Sequence, residues 1–102
     1  MTYGLRFLPE VEEDAFSAYE WYEEKAIGLG EEFLRIFYAY AGSIPQNPLL
    51  YPKGYREFRR RLLIRFPYAV YFRIEDNTIV VYGLFHCARN PRTIKTTLHN
   101  RH

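Results

Sequence analysis

The sequence predicts an α+β fold in one domain: an N-terminal strand and an α-helical hairpin packed on an antiparallel β-meander, in the order β-α-α-β-β-β. Three observations predict it. Apolar residues recur at helical spacing up to about residue 44 and at alternate positions after about residue 55. Glycines at 28 and 30 and prolines at 45, 48 and 52 punctuate the chain between those blocks. Finally, residues 1–44 hold nine acids and three bases, whereas residues 45–102 hold three acids and eleven bases, which puts the acids on predicted helices and the arginines on predicted strands.

Tyr3 to Leu8 alternates as a short strand. Pro9 ends it and suits the first turn of a helix, where its missing N–H costs nothing. Glu10, Glu12, Glu13 and Asp14 then sit at the positive end of the helix dipole. Val11, Ala15, Ala18 and Tyr22 form the apolar stripe of a helix over about 10–26, with Phe16 and Trp21 widening it; Trp21 and Tyr22 are expected to pack in the core. Gly28 and Gly30 break this helix, and a second runs over about 30–44 on Phe33, Ile36, Phe37, Tyr40 and Ile44. The short linker implies an antiparallel pair.

Pro45 stops the second helix, and an irregular connection reaches about residue 54. Strands are expected at Tyr55–Ile64, Phe66–Glu75 and Thr78–His86, with Asp76-Asn77 as the tight turn between the last two. On the middle strand Tyr68, Val70, Phe72 and Ile74 share one face, and Ala69, Tyr71 and Arg73 share the other. The domain is expected to span 1–92, with 93–102 a basic C-terminal tail limited by Pro91. If the helices cover one face of the sheet, the other stays open and basic.

The chain has 102 residues, enough for one core without a disulfide or metal. One cysteine, Cys87, excludes an internal disulfide and is expected as a half-buried strand thiol. His86, His99 and His102 with that cysteine make no ligand spacing, so no metal or other cofactor is expected. There is no membrane-spanning run and no signal-peptide pattern, which points to a soluble cytoplasmic protein.

Taken in order, Trp21-Tyr22, Gly28-Leu29-Gly30, Tyr51-Pro52, the arginine strand, Phe66-Pro67-Tyr68, and His86 and Arg89 before Pro91 resemble the RelE/ParE superfamily of toxins from bacterial type II toxin–antitoxin modules. The resemblance covers about residues 3–92. It implies a growth-inhibiting, plasmid stabilization-like toxin neutralised by an antitoxin with an acidic, partly disordered segment, with a homodimer left open. It also implies one of two targets, DNA gyrase for ParE-like members or messenger RNA in the ribosomal decoding site for RelE-like ones.

Metal-free RNA cleavage needs a base, cations to stabilise a charged phosphorane, and an acid. The catalytic candidates for such an mRNA interferase are Arg60, Arg65, His86 and Arg89; the binding candidates are Arg59, Arg61, Tyr71 and Arg73. Two departures favour the ParE-like branch: the basic strand has no lysine, Lys53 lying in the loop before it, and no tyrosine follows Tyr82. Arg60 has a structural alternative as a buried arginine paired with a helix acid such as Asp14. His86 has one as a strand-end residue. A non-toxic basic module binding RNA or protein is the remaining alternative.

Overall fold

The computed structural model describes residues 2–102. Its elements run β1 (Gly4–Phe7), α1 (Pro9–Lys25), α2 (Leu29–Ser43), two 3-10 turns (Ile44–Gln46 and Pro48–Leu50), β2 (Lys53–Tyr55), β3 (Phe58–Leu62), β4 (Tyr68–Glu75), β5 (Thr78–His86) and α3 (Pro91–Arg101). The strands form one mixed sheet in the order β1-β5-β4-β3-β2. β1 lies parallel to β5, and the remaining pairs are antiparallel.

Pro9 occupies the first turn of α1, as its sequence position suggests. The break to α2 is built by Gly28, whose φ of 88° is left-handed backbone that a side chain disfavours. The Glu23 carboxylate accepts hydrogen bonds from the amides of Gly28 and Gly30, each at 2.9 Å, and so caps the start of α2 from the preceding helix. Glu23→Ala is expected to cost about 0.5–2 kcal/mol, as the loss of a helix N-cap does, and urea denaturation would measure it.

The helical hairpin covers one face of the sheet. Val11, Ala15, Ala18, Tyr22, Phe33 and Phe37 pack there against Val70, Phe72, Ile79, Val81 and Leu84. Tyr22, Phe33 and Phe66 stack and meet edge-on at 4.9–5.3 Å between ring centroids. The alternation expected on β4 holds: Val70 and Phe72 belong to this core, and Ala69 and Tyr71 to the opposite one.

Several elements differ from the sequence reading. The expected strand Tyr55–Ile64 is two strands, because Arg56, with φ 51°, turns the chain between β2 and β3; Lys53 is therefore on a strand. β4 begins at Tyr68, since the preceding residues form the turn in which Arg65 has φ 78°. The expected tail is helix α3: the Asn90 side chain accepts from the Arg92 amide at 2.8 Å, Pro91 occupies the first turn, and Ile94 and Leu98, one turn apart, bury on the sheet. With Phe58, Tyr71, Val80, Tyr82 and Phe85 they form a second core. The second face of the sheet is thus covered in part and not open. Trp21 is 54% exposed and Phe16 also faces solvent, against the expected core placement. Cys87 lies beyond β5, exposed, and not on a strand.

Burial raises the phenols of Tyr22 and Tyr68, and burial with a hydrogen bond to Glu75 pushes Tyr82 up to about 12. Neutral phenols are therefore retained in the fold after they ionise in the unfolded chain. Stability is expected to be fully present below pH 10 and to fall as pH rises from 10 towards 12, with Tyr82→Phe flattening part of that fall.

Candidate cationic site and family

The arginines of β3 divide by side. Arg59 and Arg61 point to the helical side. Arg59 donates to the Tyr51 carbonyl at 2.7 Å; Arg61 donates to the Tyr40 carbonyl at 2.9 Å and to the Ser43 hydroxyl, and lies over the Tyr40 and Tyr51 rings. Both are part-buried and tied to the chain's own neutral groups. Arg60 points to the α3 side and is exposed. It does not pair with Asp14, whose carboxylate is taken by Arg101.

On that side Arg60, Tyr71, Arg89 and Lys95 line one cleft of about 140 Å³, together with Tyr55, Cys87 and Ile94. Register explains the meeting. Arg60 stands opposite Tyr71 on β4, and α3 folds back so that Lys95 closes the cleft from above. Three cations around two tyrosines suit an anionic group, carboxylate or phosphate. Arg89 reaches this position from the turn after β5, its guanidinium over the Phe85 ring at 5.0 Å.

Arg89 also borders a larger groove of about 590 Å³ between α1 and the end of β5, where it meets His86, Tyr68 and Trp21. His86 Nδ1 accepts from the Ala88 amide at 3.0 Å, and its ring meets Tyr68 edge-on. The remaining candidates lie apart. Arg65 is held by Glu32 of α2. Arg73 sits beside Glu75 and over the Phe58 ring. Lys95 was not a candidate in the sequence; the four-residue spacing of Ile94 and Leu98 after Asn90-Pro91 is the signal that would have placed it on a helix.

Among the described residues no group of His, Cys, Asp and Glu could hold a metal ion, and no helix is long and apolar enough to cross a membrane.

The helical hairpin on a five-stranded sheet recurs in solved chains of toxin–antitoxin systems. In fold the chain is similar to one from the chromosomal ParDE toxin–antitoxin system of P. aeruginosa, with TM-score 0.71, 16% identity, and coverage of 83% of this chain and 96% of that one. It is also similar to a chain of the toxin–antitoxin complex RelBE2 from Mycobacterium tuberculosis, with TM-score 0.58, 17% identity, and coverage of 84% and 99%. In sequence it is similar to Toxin ParE2 of Mycobacterium tuberculosis, 28% identical over 102 residues, spanning 99% of this chain and 97% of that protein. The family described as the ParE toxin of the type II toxin–antitoxin system parDE matches residues 5–91. The chain belongs to that family, and it is a RelE/ParE-superfamily toxin of a type II toxin–antitoxin system.

Proposed function

We propose that this toxin arrests bacterial growth from the cytoplasm by binding DNA gyrase, and that a cognate antitoxin with an acidic segment neutralises it. The observation that carries the reading is the partition of the candidate residues. Arg60 and Arg89 share a cleft, but His86 lies in the neighbouring groove with its Nδ1 occupied, and Arg65 is engaged by Glu32. Cleaving RNA without a metal needs cations, base and acid around one phosphate. Binding an acidic protein surface needs only the cations, held rigidly. The family match supports the same branch.

A second reading has one observation in its favour. His86 and Arg89 do line one groove beside the exposed Trp21 ring, a place where a base could stack next to a cation and a proton carrier. That arrangement fits ribosome-dependent cleavage of messenger RNA.

Inducing the chain in bacteria without a partner separates the readings. The expected result is growth arrest, relieved by the antitoxin, with translated messages left intact on primer extension. Cuts repeating with the codon would overturn the gyrase reading, and unaffected growth with a well-folded product would overturn toxicity itself.

A further inference from the structure

The face that α3 turns to solvent carries charge without a partner. After Asp76 the chain holds no aspartate or glutamate, and its four bases are Arg89, Arg92, Lys95 and Arg101. Arg101 is spent on Asp14. Ile94 and Leu98 bury on the sheet, so Arg92, Lys95, Thr96 and His99, spaced at helical intervals, share the outward side and are exposed. Arg56, exposed in the turn between β2 and β3, joins them. These residues and Tyr55 line a hollow of about 300 Å³ that meets the cationic cleft at Lys95.

Nothing in the hollow neutralises it. Its lining holds no carboxylate, and Arg56, Arg92 and Lys95 have no carboxylate partner among the described residues. Glu57, next to Arg56 in sequence, is paired with Lys53 at 3.1 Å. The kind of anion follows from what the hollow lacks. A protein partner needs apolar side chains for the core of its interface, and none of the large exposed apolar residues lies here. Single-stranded nucleic acid needs a free aromatic face on which to stack a base. Tyr55 supplies the hollow's one phenol ring, and that ring has Arg56 at 5.4 Å and Lys95 at 5.7 Å from its centroid. A duplex keeps its bases stacked inside and offers phosphates, which three cations, the Thr96 hydroxyl and the His99 ring can meet. From Arg92 to His99 the helix rises about 10 Å, or about three base-pair steps of a duplex.

We propose that the outward face of α3, with Arg56, docks on the phosphate backbone of a DNA duplex and leaves the neighbouring cleft of Arg60 and Arg89 to the protein target. The choice of DNA rests on the gyrase reading, since gyrase works on a DNA duplex; the toxin then holds enzyme and DNA at once. Backbone contacts of this kind carry no sequence preference and weaken steeply with salt.

The test uses the purified full-length toxin and a fluorescent DNA duplex of about 20 base pairs, with anisotropy read from about 50 to about 200 mM salt. Binding is expected, with log K falling against log salt at a slope of about −3 or steeper, about 0.9 for each phosphate met. Arg56→Gln with Arg92→Gln and Lys95→Gln, all at exposed side chains, is expected to flatten that slope by about 2–3 and to weaken binding by about tenfold or more, with circular dichroism unchanged. Lys25→Gln with Arg6→Gln and Arg35→Gln removes the same charge from α1, β1 and α2 and is expected to leave the slope unchanged. Equal loss in the two triple variants refutes the docking face, because net charge alone then explains the binding. Tighter binding of duplex RNA or of single-stranded DNA refutes it too, as does no binding at the lowest salt. Supercoiling by gyrase is read in parallel. A toxin that blocks supercoiling without binding the duplex refutes this face and leaves the gyrase target standing. A toxin that binds the duplex through this face but leaves supercoiling intact refutes the gyrase target and leaves the face standing.

Discussion

Asp14→Ala is expected to destabilise the fold by about 3–5 kcal/mol, the range for breaking a buried ion pair from one side. The pair is bidentate, with Arg101 Nη1 at 2.7 Å from Asp14 Oδ2 and Nη2 at 3.0 Å from Oδ1. The two side chains are only 13% and 14% exposed. Hydrogen bonding to Asp14 pushes the Arg101 guanidinium further above its ordinary range. The pair also completes the sheet. β1 stops at Phe7 and its last contact is the Leu8 amide on the Val81 carbonyl. Beyond that point Arg101 donates to the Tyr82 carbonyl at 2.9 Å, and the Asp14 carboxylate accepts from the Leu84 amide at 3.2 Å. Gly83 lies between them, where a Cβ would run into the Phe85 ring and approach the Arg101 guanidinium. Removing Asp14 thus leaves both a buried cation and an unpaired amide. Against a total stability of about 5–15 kcal/mol for a domain of this kind, such a loss is visible in urea denaturation or as failure to accumulate folded protein. The double change Asp14→Leu with Arg101→Leu is expected to cost less than either single change, because no charge is stranded.

Arg60→Ala and Arg89→Ala are each expected to reduce toxicity by about 10- to 150-fold, equivalent to the about 1.5–3 kcal/mol of a lost charge-assisted contact. Both side chains are exposed at the cationic cleft, and neither has a carboxylate partner among the described residues. The fold should therefore survive their removal. Arg35, paired with Glu32 on the outside of α2, is the control. Arg101 is unsuitable as a control, because its loss is expected to destabilise the fold for reasons unrelated to any target. The dose of induced protein that halves growth rate, normalised to folded protein, measures the effect. Unchanged toxicity in both variants would remove the cleft from the mechanism.

The architecture was legible where local rules and packing agree. Pro9 followed by four acids marks the start of α1, the glycines mark the hairpin, and β5 runs over Thr78–His86, the span its β-branched residues mark. Periodicity misled where a residue has apolar character but no partner: Trp21 and Phe16 extend the stripe of α1 beyond the width that α2 and the sheet can cover. Helix α3 was hidden by its composition. Only Ile94 and Leu98 of its eleven residues bury, and Pro91 looks like a stop although it stands at a helix start.

That one misjudged helix changes the site. A tail leaves the second face open and frees Asp14 to seek an arginine on β3. A helix covers that face, brings Lys95 to Arg60, and delivers Arg101 to Asp14. The separate fates of Arg59, Arg60 and Arg61 follow from strand alternation, but the partners of Arg59 and Arg61 are backbone carbonyls at Tyr51 and Tyr40, which no charge pattern reveals.

Purified toxin added to DNA gyrase with relaxed plasmid tests the proposed target most directly. Loss of supercoiling is expected, reversed by the antitoxin and absent with Arg60→Ala combined with Arg89→Ala. Full supercoiling in the presence of folded wild-type toxin that still arrests growth would contradict a gyrase target.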